Sequence, residues 1–306
     1  MGGSGGGYIS WGKIDPKDIN KDLHKQISSV EYENEVAGFL TSLLVTFNDR
    51  ATASINTHLE EIRKALEKEI EGTVDLNYGG SVAKHTYVDG LSDIDSLVIL
   101  NKSELENKSP EEVRDYFYSR LCDRFPNSTI EKGKLAVTVK FGDIDIQLLP
   151  SIKRGKEFQI ADASGTKWSD ISPKKFSQRL SNLNQKMGNK LVPTVKLAKA
   201  IIFTLPEKRR LSGYHAEALA VDIFRDYGGR MTTKDMLKYF FNEAGKKVLT
   251  PIADKTGQSK VVDAYLGGAK NINRGVVSDS LSRIARRLEK ADLGQNLDSW
   301  KQIFDL

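Results

Sequence analysis

Asp93 and Asp95 stand one residue apart at the head of the apolar run DIDSLVIL, residues 93–100. On a strand, residues two apart point to one face, so the two carboxylates project together. Adjacent carboxylates repel unless a cation lies between them. With oxygen donors and no Cys or His nearby, that cation is Mg²⁺ or Mn²⁺ rather than zinc. Asp145 alternates with Ile144 and Ile146, so it faces away from two core residues, where a ligand belongs. A third carboxylate from a neighbouring strand completes a two-metal site, with ions about 3.5–4 Å apart. Gly79-Gly80-Ser81 supplies the other half. Glycines let backbone approach a phosphate closely, and amides at a helix start together with the Ser81 hydroxyl bind the anion. GGSVAKHT lacks the spacing of a Walker A loop. A lone Gly-Ser pair is a common turn, and a lone D-x-D commonly faces water. The ordered set is more specific: G-G-S, then eleven residues, then D-x-D heading an apolar strand, then an Asp on a later strand.

The elements that must position these groups follow from periodicity. Residues 17 to 71 read helical, with Leu40, Leu43, Leu44 and Phe47, then Leu59, Ile62, Leu66 and Ile70, at helical spacing. A break is expected near Asn48–Asp49 and a stop at Gly72. Thr73–Tyr78 and Asp93–Leu100 read as strands, with a short helical stretch Val82–Tyr87 between them and an amphipathic helix over Pro110–Phe125. Leu135–Phe141 and Ile144–Leu149 flank Gly142-Asp143 as a hairpin, and Pro150 is expected to close the second arm. From about residue 170 onward the pattern is almost all helical, including Leu191–Phe203, His215–Tyr227, Thr233–Ala244 and Val276–Leu288. The domain boundary is expected near residue 165, with the N-terminal helix and a mixed α/β lobe over 1–165 and a mostly helical domain over 166–306.

Composition sets the class. The chain has 306 residues, 39% hydrophobic and 28% charged, a globular balance. It has no run of about 18 apolar residues and no segment that reads as a secretory signal, so a cytoplasmic protein without membrane contact is expected. The single cysteine, Cys122, excludes an internal disulfide and a Cys-rich zinc module. It reads as a small buried residue on the helix carrying Tyr116, Leu121 and Phe125. Net charge is +5, unevenly spread: residues 1–150 carry 17 Lys+Arg against 25 Asp+Glu, and residues 151–306 carry 29 against 16. Carboxylates suit divalent metals and Lys/Arg suit phosphates. A basic solvated helical surface explains the second half equally well. The MGGSGGG start is a flexible tract.

GGS…DID…D resembles the nucleotidyltransferase core of the DNA polymerase β superfamily. DIQLLPSI, LVPTVKLAKAI, LSGYHAEALA and DKTGQSKVVDAYLG resemble the bacterial CD-NTase family, relatives of cyclic GMP-AMP synthase and oligoadenylate synthetase. The likeness runs from about residue 30 to 290. It implies an α+β fold: a polymerase β-like lobe with a mixed sheet, a C-terminal, mostly helical lobe, and a long N-terminal helix bridging them. The active site is then expected in the cleft between the lobes.

The resemblance also implies roles. Gly80 and Ser81 match the phosphate-binding loop. Asp93 and Asp95 match the metal-binding pair, and Asp145 the third carboxylate. Asp143 competes for that role but sits in the hairpin turn. Lys199 matches a lysine that contacts the donor triphosphate, with Lys196 on a similar face. On an amphipathic helix, though, a lysine is more often a solvated charge. The SGYH stretch matches a family segment whose serine holds phosphate and whose tyrosine, here Tyr214, stacks on a base. In this chain Gly213 precedes Tyr214 and the serine is one place back, at Ser212. His215 reads as a packed histidine, since two metals make a histidine base unnecessary. Lys174-Lys175 and Lys208-Arg209-Arg210 lack the interleaved aromatics of a nucleic-acid groove.

Together these expectations describe an enzyme that joins NTPs, ATP among them, with two Mg²⁺ or Mn²⁺ ions into a cyclic di- or trinucleotide second messenger for anti-phage defence. Its expected partners are the NTPs, an effector reached through the product, and a regulatory protein or nucleic-acid activator. The alternatives are a linear oligonucleotide synthetase or an RNA- or protein-nucleotidylating enzyme on the same core, and a catalytically silent nucleotide- or RNA-binding module.

Overall fold

The computed structural model describes residues 16–47, 52–67, 73–78, 94–101, 104–142, 144–154, 157–162, 164–171, 173–254 and 261–305. The N-terminal helical region is two helices, α1 (Pro16–Thr46) and α2 (Thr52–Glu67), divided where the sequence loses its apolar spacing. Seven strands form one sheet: β1 (Thr73–Tyr78), β2 (Ile94–Asn101), β3 (Thr129–Lys132), β4 (Val137–Phe141), β5 (Ile144–Arg154), β6 (Glu157–Ala161) and β7 (Trp168–Ile171). Helix α3 (Pro110–Arg124) lies between β2 and β3 and opens with a capping box between Ser109 and Glu112. The order is β1-β2-β5-β4-β3, with β6 on β5 and β7 on β6. β2 and β5 run parallel and every other pair antiparallel.

Parity divides the sheet into two faces. Val98, Leu100, Ile146, Leu148, Ile152, Val137 and Val139 pack against Ile62 and Leu66 of α2 and Val113, Phe117 and Leu121 of α3. Each such side chain contributes about 1.5–3 kcal/mol by leaving water. Residues of opposite parity, beginning with Asp95 on β2 and Asp145 on β5, belong to the other face. Gly142 takes a positive φ of 62° at the β4–β5 turn, which a side chain disfavours.

The strand β5 does not stop at Pro150. It runs on to Arg154. One edge of β5 pairs with β4 through Leu148 and with β6 from Ser151, so Pro150 falls where the partner changes. On that edge Pro150 has no register partner, and on the other it pairs with Val98 of β2. Cys122 also differs from expectation: it is half-buried, one position off the Val113–Phe117–Leu121 stripe that faces the core.

The second lobe is helical: α4 (Pro173–Lys186), α5 (Leu191–Phe203), α6 (Gly213–Phe224), α7 (Thr233–Lys247), α8 (Ile272–Leu293) and α9 (Leu297–Ile303). Its core takes Tyr32, Val36 and Leu40 from α1 and Trp300 and Ile303 from α9. Thus α1 packs in the helical lobe and α2 against the sheet. The Trp300 indole donates to the Tyr32 hydroxyl at 2.8 Å. Lys234 bridges Glu33 and Asp292. Burial works to raise the Asp292 carboxyl, but hydrogen bonds from Lys234 and Lys238 outweigh it and hold the group below its ordinary value. No helix among the described residues is long and apolar enough to cross a membrane.

Candidate active site

The first part of the site lies at the β2–β5 pair. Asp95 is the register partner of Gln147, and Gln147 is two residues beyond Asp145. Paired residues of parallel strands share a face, as do residues two apart. Positions 95 and 145 therefore belong to the same face of adjacent strands. Ile146, between Asp145 and Gln147, is fully buried on the opposite face, and Ile144 packs against the same core. The Asp145 side chain keeps 37% of its surface exposed. Across the antiparallel pair its partner is Lys140, whose Nζ lies 4.0 Å from the Asp145 carboxylate and 2.7 Å from Glu131. Gly80, Ser81, Asp93, Asp143 and the Val82–Tyr87 stretch lie outside the described residues, as does the side chain of Asp95. Among the described residues no three His, Cys, Asp or Glu side chains cluster as a metal site. The described carboxylate on this face, Asp145, offers oxygen, a hard donor that fits Mg²⁺ or Mn²⁺.

The second part gathers at the N-terminus of α6. Ser212 is its N-cap, accepting from the His215 N–H through Oγ at 3.2 Å. The Ser212 N–H donates to the Tyr265 hydroxyl at 3.0 Å. That hydroxyl lies 2.9 Å from His215 Nδ1. Nε2 faces Asp263 at 3.6 Å, and Asp263 is paired with Arg274 at 2.7 Å in full burial. Burial pushes the His215 imidazole down to about 4, Asp263 pulls against it, and Arg274 adds to the fall. His215 is thus a packed, hydrogen-bonded histidine. The Tyr214 hydroxyl donates to Asp254 at 2.9 Å, and its ring meets Phe176 edge-on at 5.3 Å.

Lys199 does not lie in solvent, as its helix position alone suggests. It is 2% exposed and its Nζ donates to Glu217, 1% exposed, at 3.1 Å. α5 is apolar almost all round, with Leu197, Ala198, Ala200 and Ile201 buried beside Lys199, so no face of it is left for a solvated charge. The Lys199 chain passes beneath Gly213, where an added Cβ would meet Cε at 3.1 Å. Lys196 is half-buried, and burial and the charge on Lys199 push its ammonium down. The structure therefore brings Lys199, Ser212 and Tyr214 to one helix turn.

Several residues of this cluster were not singled out by type and spacing: Glu217, Asp254, Asp263, Tyr265 and Arg274. Glu217 carried a usable signal. It is the one acidic residue in the apolar run Tyr214–Val221, and a lone charge in a buried helix requires a partner. Tyr265, in the short turn Ala264–Leu266, and Arg274, in the first turn of α8, carried none, because their partners are remote contacts that periodicity does not report.

The fold agrees with solved structures. The structure of CdnC with ATP from E. coli MS115-1 superposes with a TM-score of 0.63 at 16% identity, over 82% of this chain and 90% of that one. CdnG from Bradyrhizobium diazoefficiens, in complex with GTP, gives 0.61 at 14% identity over 82% and 90%. The Vibrio cholerae cyclic AMP-GMP synthase DncV gives 0.58 at 12% identity over 91% and 86%. No curated protein matches the chain in sequence. The family model for a Second Messenger Oligonucleotide or Dinucleotide Synthetase domain matches residues 14–184, more than half of the chain. With that match over more than half of its length, the chain belongs to the Second Messenger Oligonucleotide or Dinucleotide Synthetase family.

Proposed function

We propose that the protein joins two or three nucleoside triphosphates, ATP among them, into a cyclic oligonucleotide that serves as a second messenger in anti-phage defence. The observation that carries this reading is the β2–β5 register, which places positions 95 and 145 on one face of adjacent strands, together with the synthetase family match. Asp93, Asp95 and Asp145 would hold two divalent cations, Mg²⁺ or Mn²⁺. Such ions, when bound, neutralise phosphate charge and make an acceptor hydroxyl easier to ionise.

The chain's own groups do the positioning. Gly80 and Ser81 hold the donor phosphates through backbone amides and the Ser81 hydroxyl. Lys199, with Ser212 at the α6 N-terminus, adds positive charge where the triphosphate lies. Tyr214 offers its ring to a base, steadied by Asp254 and Phe176. The acceptor hydroxyl oxygen attacks the α-phosphorus, the bond from that phosphorus to the bridging oxygen breaks, and pyrophosphate leaves with the electron pair. The acceptor proton passes to solvent, and the last such step, within the linear product, closes the ring. Alignment and charge neutralisation account for most of the acceleration.

The test is incubation with each labelled NTP and Mg²⁺ or Mn²⁺, followed by phosphatase treatment and mass spectrometry. A phosphatase-resistant product from the wild type, lost in Asp95→Asn, supports the reading. A phosphatase-sensitive product identifies a linear synthetase. Unchanged NTP consumption by Asp95→Asn overturns the site.

A further inference from the structure

Helix α8 has a different surface at each end. At its N-terminal end an open groove of about 550 Å³ lies between α8 and the turn Glu207–Arg209. Leu249, Ile272 and Val276 line it and are 42%, 81% and 37% exposed. Single exposed apolar side chains are ordinary, but three in one concavity with a polar rim mark an interaction site. The rim is basic. Arg209, Lys270 and Arg283 line the groove against one carboxylate, Asp279, which pairs with Arg283 at 2.9 Å. A nucleic-acid strand would use that rim but leave the apolar side chains in water. A partner with both carboxylates and apolar side chains satisfies the whole lining.

The chain itself presents such a surface at the other end of α8. There the Tyr32 hydroxyl of α1 lies 3.2 Å from Asp292. Tyr32 and Val36 face the core, and the opposite side of α1 turns Ile27 and Val30 to solvent, 47% and 59% exposed. Glu31 and Glu35 are exposed beside them. These four positions form one stripe of a helix. From Ile27 to Phe47 the chain has Glu31, Glu33 and Glu35 and no Lys or Arg, so the stripe is acidic as well as apolar. From Ile272 to Asp292, α8 extends about 30 Å. Stripe and groove therefore lie too far apart to meet within one molecule.

We propose that the groove receives α1 of a second copy of this chain. Ile27 and Val30 of one copy seat against Leu249, Ile272 and Val276 of the other, while Glu31 and Glu35 meet Arg209 and Lys270. This is an amphipathic helix laid in an apolar groove, with charge setting its direction. The two surfaces differ, so the contact is head-to-tail. Each pairing leaves one stripe and one groove open, and copies add until a ring closes or a filament ends. Two to three helical turns in a groove make a small interface, which forms as concentration rises and does not persist as a permanent dimer.

The test is sedimentation velocity of the full chain from about 5 to about 200 µM, a range that brackets a contact of this size, with melting temperature in parallel. The average mass of the wild type is expected to rise with concentration, and to rise less at high salt. Val30→Asp, on the stripe, and Ile272→Asp, in the groove, are each expected to weaken association about 10-fold or more. Both positions are exposed, so both variants are expected to melt near the wild-type temperature. If one melts early, Val30→Ser or Ile272→Ser replaces it. Mixed in equal amounts, the two variants are expected to form a pair that stops at two chains, because one intact stripe and one intact groove remain. A wild type that stays monomeric throughout overturns the inference. So does wild-type association in either folded variant, and so does a mixture that stays monomeric. A monomeric wild type that binds oligouridylate RNA, with loss of binding in Arg209→Glu/Lys270→Glu, gives the groove to nucleic acid and also overturns it.

Discussion

Asp145 and Lys140 face each other across the β4–β5 ladder, with the lysine ammonium 4.0 Å from the carboxylate. The same ammonium lies closer to Glu131, at 2.7 Å, so Asp145 keeps its capacity for another cation. Lys140 thus offsets charge on a sheet face that also holds position 95.

That relationship has a measurable consequence for metal binding. Partly exposed pairs at this separation are worth about 1 kcal/mol or less. Removing the charge in Lys140→Met lets a divalent cation bind without a neighbouring positive charge. The Mg²⁺ concentration for half-maximal product formation is expected to fall about 3-fold. A rise would show that Lys140 supports the metal site rather than opposing it.

The buried histidine gives the helical lobe a defined pH response. His215 is held down at about 4, first by burial, whereas an unfolded histidine titrates near 6.5. Between those values the unfolded chain binds a proton that the folded chain refuses. Stability is therefore full above about pH 6.5 and falls as pH drops towards 4, by up to about 3 kcal/mol. Asp292 acts in a lower window. Its depressed carboxyl contributes stability above the ordinary carboxylate range, and this is lost as pH falls through its folded value. Urea unfolding at about pH 7 and about pH 5 should show the wild type losing stability and His215→Gln losing much less. Equal losses would contradict the assignment to His215.

The C-terminal helix is expected to be structural. Trp300 is fully buried and its indole donates to Tyr32 on α1. Trp300→Ala should cost about 3–5 kcal/mol, a large share of the 5–15 kcal/mol typical of a domain. Tyr32→Phe should cost less, about 1–3 kcal/mol, since it keeps the ring but removes the hydroxyl that bonds Ala291 and Asp292 and accepts from the buried Trp300 N–H. Chemical denaturation of both variants checks the order. Near-equal effects would contradict it.

Strong local patterns were legible in the sequence. Helix α5 spans Leu191–Phe203, matching its apolar run, and the β4–β5 hairpin turns at Gly142 as its glycine suggests. The alternation Ile144-Asp145-Ile146 put Asp145 opposite the core, where the structure has it. Legibility stopped where the deciding partner was remote. Strands β3, β6 and β7 are four or five residues long and are defined by their neighbours in the sheet. Pro150 was read as a stop because the change of partner from β4 to β6 is a tertiary fact. In the site, the family pattern supplied Lys199, but not Glu217 beneath α6 or the Tyr265 hydroxyl that joins Ser212 to His215.

The central claim is that Asp93, Asp95 and Asp145 hold paired divalent cations for nucleotide joining. The most direct measurement is an Mn²⁺ titration followed by electron paramagnetic resonance, in the presence of α,β-methylene ATP, on the wild type and on Asp145→Asn. About two ions per chain are expected for the wild type, with weakened or single-ion uptake in folded Asp145→Asn. Identical uptake by the two proteins would contradict the claim.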